Sequence, residues 1–175
     1  MKTKPFVTVL IFFGALFCLL FSSVAFAKED IDNFLGIKWG TPILQAEEEM
    51  IKNGYPMLER KETDLSMKIT FGGEFDGHEA NFFLFCEKED HKFVQANIIL
   101  RNSENNEIYN ELLEKFNAKY STPATGVNLP KWAISGTTWT DSFGVTQLIT
   151  QQDNKIILIR YFQEKRFEFM RQFEK

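Results

Sequence analysis

Cysteine and histidine are almost missing from this chain, with two of each in 175 residues. Cys18 lies in the N-terminal apolar run, so a chain trimmed of that run keeps Cys86 alone and cannot form an internal disulfide. Cys86 closes the run Phe82-Phe83-Leu84-Phe85-Cys86, where a small buried thiol is expected; a reactive one would want exposure and a nearby base. Together with His78 and His91 it gives His-x7-Cys-x4-His, which matches no standard zinc spacing. No Gly-x-Ser-x-Gly elbow, phosphate loop or dinucleotide fingerprint appears. Gly72-Gly73 reads as a bend in a hairpin, and acid pairs such as Glu74 and Asp76 arise by chance in a chain with 24 carboxylates. The sequence therefore assigns no catalytic residue, no metal ligand and no cofactor. A metal-dependent hydrolase built on His78, Cys86 and His91 is one alternative function; an envelope structural protein that contacts membrane through its C-terminal tail is the other.

Basic charge is also short. The formal net charge is −4, and removal of a leader carrying only Lys2 and Lys4 takes it to −6. Such a protein has no general pull on nucleic acid, and no basic stripe interleaved with aromatics overturns this.

Long apolar runs are confined to one place. Lys2 and Lys4 precede an uncharged stretch from Phe6 to Phe21, and Ala25 and Ala27 stand at the two positions a signal peptidase reads. We expect an export signal over residues 1–27, cleavage after Ala27 and a periplasmic or secreted domain starting at Lys28. The alternative is a retained anchor, because Phe6 to Ala27 is long enough to span a bilayer. Cys18 follows Phe17, where lipid attachment needs a small residue.

Cleavage leaves 148 of the 175 residues, enough for one domain, and 13 of the 19 phenylalanines with all three tryptophans to fill its core. Phe34 to Gly40 is a short apolar opening. Thr41-Pro42 reads as a helix start, and Ile43, Leu44, Ala46, Met50 and Ile51 recur at helical spacing until Gly54 and Pro56. Strands are expected at Met67–Phe71, Asn81–Cys86 and Phe93–Leu100, with Asp76-Gly77 as a tight turn. Ser103 or Asn105 can cap a second helix carrying the stripe Tyr109, Leu112, Leu113, Phe116, Tyr120. After a polar loop from Ser121 to Pro130, three more strands read at Trp132–Thr140, Val145–Thr150 and Lys155–Phe162, with turns at Asp141-Ser142 and Gln152-Asp153-Asn154.

This is α-β-β-β twice. Asp90-His91-Lys92-Phe93-Val94 and Asp153-Asn154-Lys155-Ile156-Ile157 line up 63 positions apart. The expected fold is α+β: one domain over 28–175 made of a tandem α-β-β-β repeat (about 34–101 and 103–163) plus a C-terminal tail. Its antiparallel sheet carries both helices on one face and leaves the other open. In the tail, Phe162, Phe169, Met170 and Phe173 fit one helical stripe; it reads either as a helix docked on the core or as a cationic segment that touches a membrane.

Phe34-Leu35-Gly36-Ile37, Trp39-Gly40-Thr41-Pro42, Tyr109-Asn110-Glu111-Leu112-Leu113 and Lys119-Tyr120-Ser121-Thr122-Pro123, taken with the element order, resemble small exported bacterial domains of the beta-lactamase-inhibitor-protein fold and the related outer-membrane assembly lipoproteins. The chain departs from them in having no lipobox and no disulfides. The resemblance implies a non-enzymatic protein that binds a protein or small-ligand partner with its open sheet face. On that reading Trp132 and Trp139, taken as lying on one alternating strand, and Tyr161 on the last strand are the candidate partner-binding residues.

Overall fold

The computed structural model describes residues 28–63, 66–87, 89–103, 105–121, 123–125, 129–151 and 155–172. The expected leader at 1–27, the turn at 152–154 and Phe173 lie outside them.

The fold is α+β, with ten strands and three helices among the described residues. A small hairpin, β1 (Asn33–Phe34) with β2 (Ile37–Lys38), opens the chain and leads into helix α1 (Ile43–Lys52). Four strands follow: β3 (Met57–Glu62), β4 (Ser66–Phe75), β5 (His78–Glu87) and β6 (Phe93–Arg101). Helix α2 (Glu107–Lys119) comes next, then β7 (Ala124–Thr125), β8 (Ser135–Thr140), β9 (Gly144–Gln151) and β10 (Ile156–Gln163), and the chain closes with α3 (Glu164–Arg171). Strands β3 to β10 form one sheet in the order β3-β4-β5-β6-β10-β9-β8-β7, antiparallel throughout.

Local chemistry accounts for most boundaries. The β4–β5 turn needs positive φ at both central residues, which Asp76 (55°) and Gly77 (82°) supply. Asn106, at a φ of 58°, is the residue before α2 in place of the expected Ser103 or Asn105 and makes no side-chain cap bond, while the Ser103 hydroxyl accepts the Glu107 N–H at 2.8 Å. At α1 the boundary differs from expectation. Pro42 is the residue before the helix, no side chain caps it, and the Ile43 N–H instead donates to the His91 carbonyl at 2.8 Å. A tertiary contact thus replaces the local cap.

Each half also contains a strand beyond the three expected. Every residue of β3 is exposed, so Met-Leu-Glu-Arg-Lys-Glu carries no alternation; the strand exists because it pairs with β4, and Arg60 bonds Glu47 of α1. Its charges suit a sheet edge, where they discourage pairing with other chains. At the opposite edge β7 spans two residues and pairs with Thr137 and Thr138.

Alternate residues of the strands point to a face we term the core face. Ile69, Phe71, Phe82, Leu84, Ile98 and Ile159 are fully buried there, in one cluster with Ile43, Ala46 and Met50 of α1 and Leu112 and Phe116 of α2. Burying a side chain of this size contributes about 1.5–3 kcal/mol. Phe116 meets Trp139 edge-on, with centroids 5.5 Å apart, and Tyr120 lies against the same indole at 6.3 Å.

Tyr120 and Tyr161 join this cluster as a pair. Burial pushes both hydroxyls up from the ordinary value of 10.0, Tyr161 well above it. As pH rises past 10, the unfolded chain sheds tyrosine protons that the folded chain keeps, so the stability they contribute is complete below that pH and falls above it. Urea unfolding midpoints should hold from pH 7 to about 8, begin to fall as the buried Cys86 thiol passes its ordinary range, and drop further beyond about 10. Tyr161→Phe should flatten the alkaline arm; an identical pH profile in that variant would refute this role for the buried hydroxyl.

Candidate functional site

The other face of the sheet holds the most distinctive arrangement of side chains. Strand register aligns Glu59, Thr70, Phe83, Asn97, Arg160, Gln147 and Thr138 in one row across seven strands. Arg160, 3% exposed, donates from Nη1 to Gln147 Oε1 at 3.2 Å, and Gln147 Nε2 donates to Thr138 Oγ1 at 3.3 Å. Gln95 Nε2 donates to Asn97 Oδ1 at 3.1 Å beside them. A buried guanidinium needs such partners, because an unpaired charge taken from water is costly. Aromatic rings complete its surroundings: its carbon lies 4.6 Å from the Phe162 centroid and 5.8 Å from that of Trp132.

This face is not uniformly open, which corrects the expected bare face. Over β8, β9 and β10 the segment 129–134 folds across it. The Ile134 N–H donates to the Thr150 carbonyl at 3.0 Å, and a Cβ on Gly136 would come 3.1 Å from Leu129. At the end of β10, α3 closes it further, with Phe167 packed on Phe162 and Val145. The stripe expected in the tail is shifted accordingly. Phe162 belongs to β10, Phe167 is the buried helical residue, Met170 packs beside it and Phe169 is exposed. Arg166 then reaches Glu87 of β5 at 3.2 Å. No helix among the described residues is long and apolar enough to cross a membrane.

The half over β3 to β6 is less covered, although Thr70 and Gln95 are buried there and Arg166 reaches its β5 margin. Phe83, Phe85 and Ile99 are half-buried there, with Lys68 over the Phe83 ring at 5.4 Å. Trp132, 47% exposed, stands at the border between the covered and open halves.

The three residues picked from sequence separate. Trp132 lies in the 129–134 segment before β8, not on a strand, and it is on the surface of this face. Trp139 faces the core, fully buried, and its indole N–H donates to Asn117 Oδ1 at 3.3 Å. Tyr161 is buried on the same core face. A buried ring presents no surface to a partner, so only Trp132 of the three lies where one can reach. Phe83, Phe85 and Arg160 are the site residues that sequence reasoning missed. Phe83 and Phe85 were legible, since they alternate with Phe82, Leu84 and Cys86 and must face the other way. Arg160 was not, because nothing local marks a buried cation.

The remaining candidates do not assemble. His78 opens β5 and Cys86 sits eight residues along it, about 26 Å away at strand spacing. Burial raises the Cys86 thiol. His91 lies in the turn beyond. His78 Nε2 instead approaches Glu111 of α2 at 3.6 Å. Among the described residues no group of three or more His, Cys, Asp and Glu side chains could hold a metal ion. On the core side, a cleft of about 480 Å³ lies between the β1–β2 hairpin, the β4–β5 turn and α2, and its charges are already paired: Lys115 with Asp76 at 3.2 Å, Lys119 with Glu29 at 3.0 Å.

Compared with protein-family models, with curated proteins and with solved structures, the chain finds no match.

Proposed function

We propose that this is an exported, non-enzymatic binding module that takes a protein partner on the open β3–β6 half of its second face. One observation carries the reading. The layer that loop 129–134 and α3 build over half of this face stops short of Phe83, Phe85 and Ile99, leaving apolar side chains beside Trp132 and the Arg160 row. Aromatic and arginine side chains dominate binding energy where partners meet. Export rests on the N-terminal leader, and the binding role agrees with the resemblance to the inhibitor-like exported domains.

The architecture behind the face is a tandem repeat with α1 and α2 on the core side. In its support, Asn97 and Arg160 pair directly across β6 and β10 and are 63 positions apart, the offset that aligns the two sequence halves. A pseudo-twofold relating the halves therefore passes between these two residues, and the two edges, β3 and β7, are equivalent under it.

Tagged mature protein incubated with its native envelope fraction tests the function. A partner retained by wild type should be lost with Phe83→Ala or Trp132→Ala and kept with Leu44→Ala, a change on the exposed side of α1. Retention by both face variants, or equal loss with Leu44→Ala, would remove the face from the account.

A further inference from the structure

We infer that the open half-face receives an amphipathic helix of another protein, with carboxylates at one end and cationic side chains at the other, about 20 Å apart. The inference rests on the binding-face reading and adds the chemistry of the partner. Two cross-strand pairs motivate it. Lys61 stands directly opposite Lys68, and Glu74 directly opposite Glu79, all four on the second face. Like charges directly opposite each other destabilise a sheet, so neither cross-strand pairing itself stabilises this one. Glu59 approaches Lys68 at 3.9 Å, Glu87 beyond Phe85 is paired with Arg166 at 3.2 Å, and Arg101 follows Leu100 on the strand beside Glu79; with these counted, the lysine end keeps a net positive charge and the glutamate end a net negative one. Lys68 and Glu74 are six residues apart on β4, about 20 Å along the strand. Phe83 and Ile99 lie between these levels with Asn81, and Phe85 stands directly opposite Lys68 at the lysine end.

The dimensions select a helix. Four strands span about 15 Å, close to the 10–12 Å diameter of one helix, and 20 Å is about 13 helical residues. The helix would continue the layer that α3 begins on the neighbouring half. A second copy of this chain fits poorly. Setting the lysine end of one copy on the glutamate end of another keeps β10 over β10, which drives the two ridges of 129–134 and α3 together. An anionic membrane would meet the glutamate pair. A helix with opposite charges at its two ends satisfies both ends at once.

Three synthetic 18-residue helical peptides with one shared apolar face test this. One has acidic and basic ends, one two acidic ends, one two basic ends. Their binding to the mature protein is read by fluorescence anisotropy at low salt, with near-UV circular dichroism confirming that each variant is folded. Wild type should bind the mixed peptide about tenfold more tightly than either uniform one, the effect of two exposed ion pairs. Lys61→Glu with Lys68→Glu should shift the preference to the two-basic peptide, Glu74→Lys with Glu79→Lys to the two-acidic one, and all four together should restore it. Equal affinity for all three, a ranking that ignores these substitutions, or no binding of any peptide would overturn the inference. Phe83→Ala separates the levels. If it weakens every peptide while charge order has no effect, the face stands and the partner class fails; if it changes nothing while peptides bind, the face itself is wrong.

Discussion

Trp139→Ala should cost about 3–5 kcal/mol of stability, the usual range for emptying an aromatic site in a packed core. The indole is fully buried, meets Phe116 edge-on at 5.5 Å and Tyr120 at 6.3 Å, and spends its N–H on Asn117. Its loss opens a cavity between β8 and α2 and frees the end of α2 that the 28–31 segment grips, where the Glu29 N–H donates to the Lys119 carbonyl at 2.9 Å. Trp132→Ala removes a ring of the same size that is half exposed and only borders Arg160, and should cost about 1 kcal/mol, well below the loss at Trp139. Urea unfolding of both variants measures the contrast. Equal effects would mean that the two indoles have been assigned to the wrong sides of the sheet.

Gly144→Ala should cost about 3 kcal/mol or more, because no relaxation of a flexible side chain can accommodate it. A Cβ at this position would lie 2.5 Å from the Ile31 carbonyl oxygen and 2.6 Å from that of Phe162, both backbone atoms. Gly144 begins β9, pairs with Gln163, and donates its N–H to Asp141 at 2.9 Å, so the turn cannot swing away without breaking the β9–β10 ladder. The added methyl would push apart the N-terminal segment and the strand that carries Arg160. Thermal unfolding checks this: a midpoint within about 2 °C of wild type would show that the close approach is not what fixes glycine here.

The parts of the fold that bury one clean face were readable in the sequence. Helix α2 is the best case, since its stripe at Tyr109, Leu112, Leu113 and Phe116 meets the core as the spacing demands. Strand β5 likewise follows from alternation, and the Asp76-Gly77 turn from backbone preference; in β6 alternation holds from Gln95 to Leu100, but a bulge turns Phe93 into the core, where the expected pattern had put Val94 instead. The misses share another cause. β3 has no buried residue, so its strand character comes from β4 and from the Arg60–Glu47 ion pair, neither of which is local. β7 is too short to carry a pattern. Trp132 and Trp139 are seven apart, and on one continuous strand that odd spacing already puts them on opposite faces; they do lie on opposite faces, although β8 begins only at Ser135 and Trp132 precedes it. The covering of the second face by 129–134 depends on contacts between distant strands, so the site was legible only in its aromatic half. α3 shows the same limit: its charged surface hides that a single phenylalanine, Phe167, docks it.

On the proposed function, the open half of the second face meets a partner in the envelope. Site-specific photocrosslinking tests it most directly, with a benzophenone side chain replacing Phe83 in one protein and Leu44 on the exposed side of α1 in another. Both are expressed at native level and irradiated in intact cells. Position 83 should give a discrete adduct of one size, lost on adding Trp132→Ala, and position 44 none. Adducts from position 44 alone, or the same adducts from both positions, would contradict it.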